Sequence, residues 1–230
     1  MIRYILSIGL SLICLALPAQ RVSVLGDSYS TFEDYVTPLT NEVWYYAKSD
    51  TSRTDVVNVR DTWWWQFVKD NGLQLCVNNS YSGATIGFTG YDGNDYSHRS
   101  FITRMRNIGH PDIILIFGGT NDSWAGEAVG EYKYAGYTPD DFYTFRPAMA
   151  YMLEWLQNHH PNVAIYFIIN SELRPDITRS CVEICNHYGV SYIMLHDIDK
   201  RSGHPTVKGM KAIASQVADV VMKNEQNDSK

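Results

Sequence analysis

Five short apolar runs, rich in β-branched residues, alternate with amphipathic segments along this chain. That alternation constrains the fold more than any other feature. The runs are residues 22–25, 73–77, 113–117, 163–169 and 191–195, each bounded by polar or glycine-containing turns. Runs that are apolar almost throughout, rather than at every second position, belong to strands covered on both faces. The spacing predicts helices between and after them over 61–70, 139–159, 175–188 and 206–222. The first carries Trp64, Phe67 and Val68 at helical spacing, the second opens with Pro139, and the third ends before Gly189. The last sets Val207, Met210, Ile213, Val217 and Val220 along one face. Strands joined by crossover helices pair in parallel. The expectation is an α/β protein with three layers, helices on both sides of a parallel five-stranded sheet. No repeat, linker or low-complexity tract interrupts residues 20–230, which read as one domain. With 45% hydrophobic and 13% aromatic residues in 230, a core of that size can be filled.

The amino-terminal residues read differently. Met1-Ile2-Arg3 is a basic start, 5–17 is an apolar run, and Pro18-Ala19-Gln20 offers a small residue for cleavage. The run is short for a bilayer span, so 1–19 is expected to be a secretory signal peptide and the mature chain to have no membrane span. Ile13 before Cys14 is a poor match to lipoprotein processing. Export to the periplasm or the exterior without a lipid anchor is therefore the expectation. Cys14 leaves with the signal, and the remaining Cys76, Cys181 and Cys185 are odd in number, which implies a free thiol. Cys181 and Cys185, four apart, read as small buried side chains on one helix face. No group of ligands has the spacing of a metal site. A net charge of −6 without a basic stripe argues against a nucleic-acid partner.

In a parallel α/β sheet, ligands sit beyond the carboxyl ends of the strands. Four polar segments fall there: Gly26-Asp27-Ser28, Tyr81-Ser82-Gly83-Ala84-Thr85, Gly118-Gly119-Thr120-Asn121-Asp122, and Gly203-His204-Pro205. A serine hydroxyl needs a base before it becomes a useful nucleophile. Of seven histidines, His204 alone lies in a Gly-His-Pro loop between a strand and a long helix, with Pro205 fixing the backbone beside it. Acyl transfer also needs donors aimed at the oxyanion. The N–H groups of Ser28 and Gly83 and the side-chain amide of Asn121 could supply them. Asp27 and Asp122 read as loop-bonding carboxylates rather than catalytic ones.

These four segments, in this order, resemble the conserved blocks of the SGNH hydrolases, the GDSL-type esterases. The resemblance spans about residues 22–222 and implies a flavodoxin-like fold. It implies Ser28 as nucleophile, Gly83 and Asn121 as oxyanion donors with the Ser28 N–H, and His204 as base. It implies no metal or organic cofactor. The Gly-x-Ser-x-Gly elbow of the α/β-hydrolases is absent. One position departs from the pattern: the family usually places an acid three residues before the histidine, and Arg201 stands there. A cation beside the imidazole disfavours its protonated form. Asp199, looped back to His204, is the expected orienting acid; Asp197 and a backbone carbonyl are the alternatives.

Three aromatic and polar segments, 32–60, 88–100 and 125–137, follow these blocks and should border the cleft. They include Trp44, Tyr91, Tyr96, Tyr132 and Tyr134. Aromatic faces among amides and acids suit sugars better than a lipid chain does, although the same rings could simply pack the loops down. The expected protein is an exported serine esterase removing short acyl groups such as acetyl, with a small-molecule or glycan ester as substrate. A lipase, lysophospholipase or thioesterase is the alternative on the same machinery. A glycan-binding protein on a retired hydrolase site is the alternative from another class, prompted by Arg201.

Overall fold

The structure is a computed structural model and describes residues 19–228; the expected signal peptide, apart from its last residue, lies outside them. Five parallel strands form one sheet: β1 (Arg21–Gly26), β2 (Gln74–Ser80), β3 (Ile113–Gly118), β4 (Ala164–Ile169) and β5 (Ser191–Met194), in the order β2-β1-β3-β4-β5. This is the flavodoxin-like order. The helices are α1 (Trp63–Asp70), α2 (Phe101–Arg104), α3 (Thr120–Ala125), α4 (Phe145–His159), α5 (Pro175–Tyr188) and α6 (Val207–Asp228). A two-residue hairpin, β6 (Lys200–Arg201) with β7 (His204–Pro205), precedes α6.

The reason for the unbroken apolar runs is visible in β3. Ile113, Leu115 and Phe117 face a core with Trp63, Trp64 and Phe67 of α1 and Met210, Ile213 and Val217 of α6. Ile114 and Ile116 face the opposite core, with Met149 and Leu153 of α4 and Ile177 and Cys181 of α5. Side chains alternate across a strand, so a strand sandwiched between two helical layers must be apolar at every position.

Two expected helices differ from those found. The segment 139–159 is broken: Pro139–Tyr143 forms a 3₁₀ turn, and α4 begins only at Phe145. Thr138 and Asp141 close that turn on themselves as a capping box, and Thr144 is extended. The Phe145 N–H then bonds the Ala128 carbonyl rather than its own helix. The carboxyl-terminal helix runs beyond 222 to Asp228. Cys76, Cys181 and Cys185 are free thiols, the last two buried against the α4–α5 core. Among the described residues, no helix is long and apolar enough to cross a membrane.

At the carboxyl edge the strands end in buried polar residues, which require partners. The fully buried Arg104 supplies several: its guanidinium donates to the carbonyls of Gly26 at 3.1 Å, Asn79 and Arg99. Asn78 donates to the Ser30 carbonyl at 2.9 Å and accepts from Ser80. This tight turn answers why β1 ends in glycine. A Cβ on Gly26 would lie 2.6 Å from Ser30 Cβ and Ser80 Oγ. Gly26→Ala is expected to lower stability by about 1–3 kcal/mol through overpacking, measured by denaturant titration; an unchanged midpoint would show that the turn can yield.

Candidate active site

The four polar segments meet as the topology requires. Tyr81 N–H donates to the Gly26 carbonyl at 3.1 Å, and Asp27 N–H to the Phe117 carbonyl at 3.3 Å. Asn121 Nδ2 donates to the Ala84 carbonyl at 2.9 Å. These bonds fasten the first segment to the second and third, and the third to the second.

Ser28 opens a 3₁₀ turn capped by Asp27, whose Oδ1 accepts the Tyr29 N–H at 3.0 Å. The first N–H groups of a helical turn have no partner within it, so the Ser28 N–H faces outward from the turn's start. Ser28 Oγ and His204 Nε2 are 2.9 Å apart, at 2% and 5% exposure. On the other side of the ring, Nδ1 faces the Ser202 carbonyl at 3.1 Å. A carbonyl only accepts, so Nδ1 carries the proton and Nε2 is the bare nitrogen that can accept from Ser28.

Asp199 does not occupy the expected place. Its carboxylate accepts from the Thr206 hydroxyl and its carbonyl from the Thr206 N–H at 3.0 Å, pinning the start of α6. The β6–β7 hairpin explains the difference. Residues 202–203 turn with positive φ, which folds the Ser202 carbonyl back under the ring. Asp197 is exposed and paired with His196 at 3.0 Å. Arg201 points outward and donates to the Thr51 carbonyl at 2.8 Å. Of the alternatives open in the sequence, the backbone carbonyl is the one found at Nδ1.

His204 sits in an aromatic enclosure that the sequence pattern gave no means of assembling. Trp44 stacks on it at 3.6 Å with 7° between planes, while Tyr29, Tyr45 and Trp124 meet it at tilted or edge angles. Tyr29 and Tyr45 hydroxyls hold the Gly203 and Pro205 carbonyls on either side at 2.5 and 3.0 Å. Burial pushes the imidazole down from 6.5 to about 4; the Ser202 carbonyl opposes this, and Arg53 and Lys200 add to it. The ring is therefore neutral near neutral pH, as a base must be.

Asn121 is also fixed. Its Oδ1 accepts from the Tyr91 hydroxyl at 2.9 Å. With Oδ1 and one amide hydrogen committed, the second hydrogen of Nδ2 is left for a ligand. Tyr91 comes from one of the aromatic loops, and its role as an amide-orienting group was not readable from spacing. Gly83 adopts φ +78°, a conformation that favours glycine. Beneath this loop, Asp122 Oδ1 accepts the Ile86 N–H at 2.8 Å. Asp122 faces Glu127, both buried, and burial raises both carboxyl groups. A proton held between them would give partners to Asp122 Oδ2 and a Glu127 carboxyl oxygen, which otherwise have none. Asp27, also buried, is raised to about 7. Asp27 and Asp122 hold loop amides, as expected, and neither bonds His204.

A serine hydroxyl bonded to a buried neutral imidazole, beside free amide donors at the end of a parallel sheet, is the arrangement of a serine hydrolase. The family described as GDSL-like lipase/acylhydrolase matches residues 20–221. The chain belongs to that family, whose members are serine hydrolases acting on ester bonds. It is 56% identical to a GDSL-like lipase from Bacteroides ovatus, over 90% of this chain and 100% of that one, with a TM-score of 0.88. It is 53% identical to a GDSL-like lipase from Bacteroides uniformis, over 89% and 96% of the two chains, with a TM-score of 0.87. An acetyl xylan esterase from Butyrivibrio proteoclasticus shares the fold at 18% identity and a TM-score of 0.61, over 92% of this chain and 66% of that one. No curated protein matches.

The placement of Asp199 has a direct consequence. Asp199→Asn is expected to keep turnover of an activated ester within about threefold of wild type, against the ~10⁴-fold loss that follows when an orienting acid is replaced. Steady-state kinetics decide it, and a loss near 10⁴-fold would put the carboxylate back in the triad.

Proposed function

We propose that the protein is an exported esterase that removes short acyl groups, acetyl foremost, from carbohydrate, using a Ser28–His204 pair oriented by the Ser202 carbonyl. The observation that carries the esterase machinery in this reading is the 2.9 Å contact from Ser28 Oγ to His204 Nε2, with Nδ1 on a carbonyl rather than an acid. Ser28 attacks the ester carbonyl as its proton passes to Nε2. The N–H groups of Ser28 and Gly83 and the free hydrogen of Asn121 receive the charge that develops on the carbonyl oxygen. The imidazolium then gives its proton to the departing alcohol. Water repeats the sequence on the acyl-enzyme, with Nε2 taking its proton, and releases the acid and Ser28. None of these steps draws on a metal or organic cofactor.

The sugar reading is supported by the site's rim. Trp124, 45% exposed, meets His204 edge-on at 5.7 Å and offers a flat apolar surface beside the nucleophile. The structural similarity to an acetyl xylan esterase fits it. The leader-like residues 1–19 support export. Lipase or thioesterase action stays the second reading, favoured by the description of the Bacteroides relatives as lipases. A retired binding protein is disfavoured because Arg201, which prompted that reading, turns away to Thr51.

The test is a series of p-nitrophenyl esters from acetyl to decanoyl, with Ser28→Ala as control. The acetyl ester should lead by roughly tenfold or more in kcat/KM, and Ser28→Ala should lose about 10⁴-fold or more. A preference for long chains would replace the reading with the lipase. Since the base works deprotonated and its pKa is lowered, activity should persist into acid. The acid limb of kcat/KM is expected near pH 4 rather than 6.5.

A further inference from the structure

Both faces of Trp44 are occupied. His204 lies on one at 3.6 Å and nearly parallel, and the Arg53 guanidinium lies on the other, 3.5 Å from the ring centroid. An indole so enclosed has no face to offer a sugar, so of the two readings open for it, a sugar surface or a ring packed into the body, the second fits. We infer that Trp44 is a positioning residue for His204, doing the orienting work that an acid does elsewhere, and that the Arg53 guanidinium holds it in place. The inference rests on the Ser28–His204 reading above.

The geometry assigns the work as follows. The Ser202 carbonyl fixes one point of the imidazole, at Nδ1, and leaves the ring free to tilt about that bond. A parallel indole at van der Waals distance fixes the plane. Together they aim Nε2 at Ser28 Oγ. The main chain that carries the indole is registered to the nucleophile as well: the Trp44 backbone N–H donates to Thr31 Oγ1 at 2.9 Å, and that hydroxyl donates to the Ser28 carbonyl at 2.9 Å. Tyr45, the next residue, holds Pro205 beside the histidine. Arg201 fastens Thr51, two residues before Arg53. The residue that displaced the family's acid therefore secures the loop that replaces its function.

The stack also bears on charge. An indole face is electron-rich and attracts a cation, so Trp44 supports the imidazolium formed during turnover. Arg53 draws on the same electrons from the opposite face and repels the proton, which favours the neutral resting base. Lys200 acts in the same direction. Tyr29 and Tyr45 face the ring as neutral phenols, both raised by burial. The Asp199 carboxylate is committed to Thr206 and that of Asp55 to the Val207 N–H.

The experiment compares Trp44→Ala, Trp44→Phe and Arg53→Gln with wild type and His204→Ala, on p-nitrophenyl acetate across pH 3–9, with melting curves for each. Trp44→Ala should lower kcat roughly 10- to 100-fold with KM within about threefold, part of what a positioned base contributes. Its acid limb should move up from about 4 toward 6.5 as the ring meets water. Trp44→Phe, which keeps a flat face, should recover most of kcat. Arg53→Gln should raise the limb through loss of the cation. Wild-type kcat and limb in a folded Trp44→Ala would overturn the inference, as would a loss confined to KM, which would make the indole a substrate contact. If Trp44→Ala does not fold, an unmoved limb in Arg53→Gln together with a Trp44→Phe no better than His204→Ala overturns it. Activity retained in His204→Ala would instead overturn the underlying pair and leave no base to position.

Discussion

A neutral imidazole must present its bare nitrogen to Ser28 across 2.9 Å, and the surroundings of His204 are arranged around that requirement. The proton has to sit on Nδ1, which the Ser202 carbonyl secures. The ring has to stay unprotonated at rest, which burial secures. An acid beside Nδ1 would achieve the first and oppose the second, because a carboxylate raises the imidazole it faces. A carbonyl carries no full charge, so the base here is weaker and operates to lower pH. The imidazolium formed in turnover gains less, and the aromatic enclosure is the remaining source of support for it.

That arrangement depends on the carboxyl edge of the sheet being fully satisfied. Strand ends carry carbonyls that no neighbouring strand takes, and in a buried edge each lone group is costly. Arg104 takes those of Gly26 and Asn79 together. Removing its guanidinium would take a donor from the Asn79 and Arg99 carbonyls and leave that of Gly26 with the Tyr81 N–H. Asp27 and Asp122 do the corresponding work for N–H groups of the nucleophile turn and of the loop carrying Gly83. The loop residues that perform chemistry are thus held by buried polar groups that perform none.

The sheet was legible because two-sided burial writes itself into every residue of a strand; β3 could be read almost to its ends. The helices were legible where capping and period agreed, as in α5 between Pro175 and Gly189. They misled where a local turn competed, as at Thr144, whose extended backbone ends one turn before the next helix starts. Ser28 and His204 were readable as residue types set at strand ends. The place of Asp199 was not legible, because separation along the chain says little inside a hairpin: the turn at 202–203 brings a main-chain oxygen to the ring before any carboxylate can reach it. The Trp44 stack could not be read, since residues 32–60 have no period and pair with the histidine across some 160 positions. Only the missing acid at position 201 signalled that another device was needed.

The tautomer of the His204 ring is the most direct test of this account, read by ¹⁵N NMR of the histidine-labelled protein between pH 3 and 8 with His204→Ala to assign the signal. The account predicts the Nδ1–H form with a bare Nε2 throughout the neutral range, and a single protonation near pH 4. An Nε2–H ring at neutral pH, or a titration at or above the ordinary 6.5, would contradict it. The first would remove the base from Ser28, and the second would show that burial does not hold the resting base neutral.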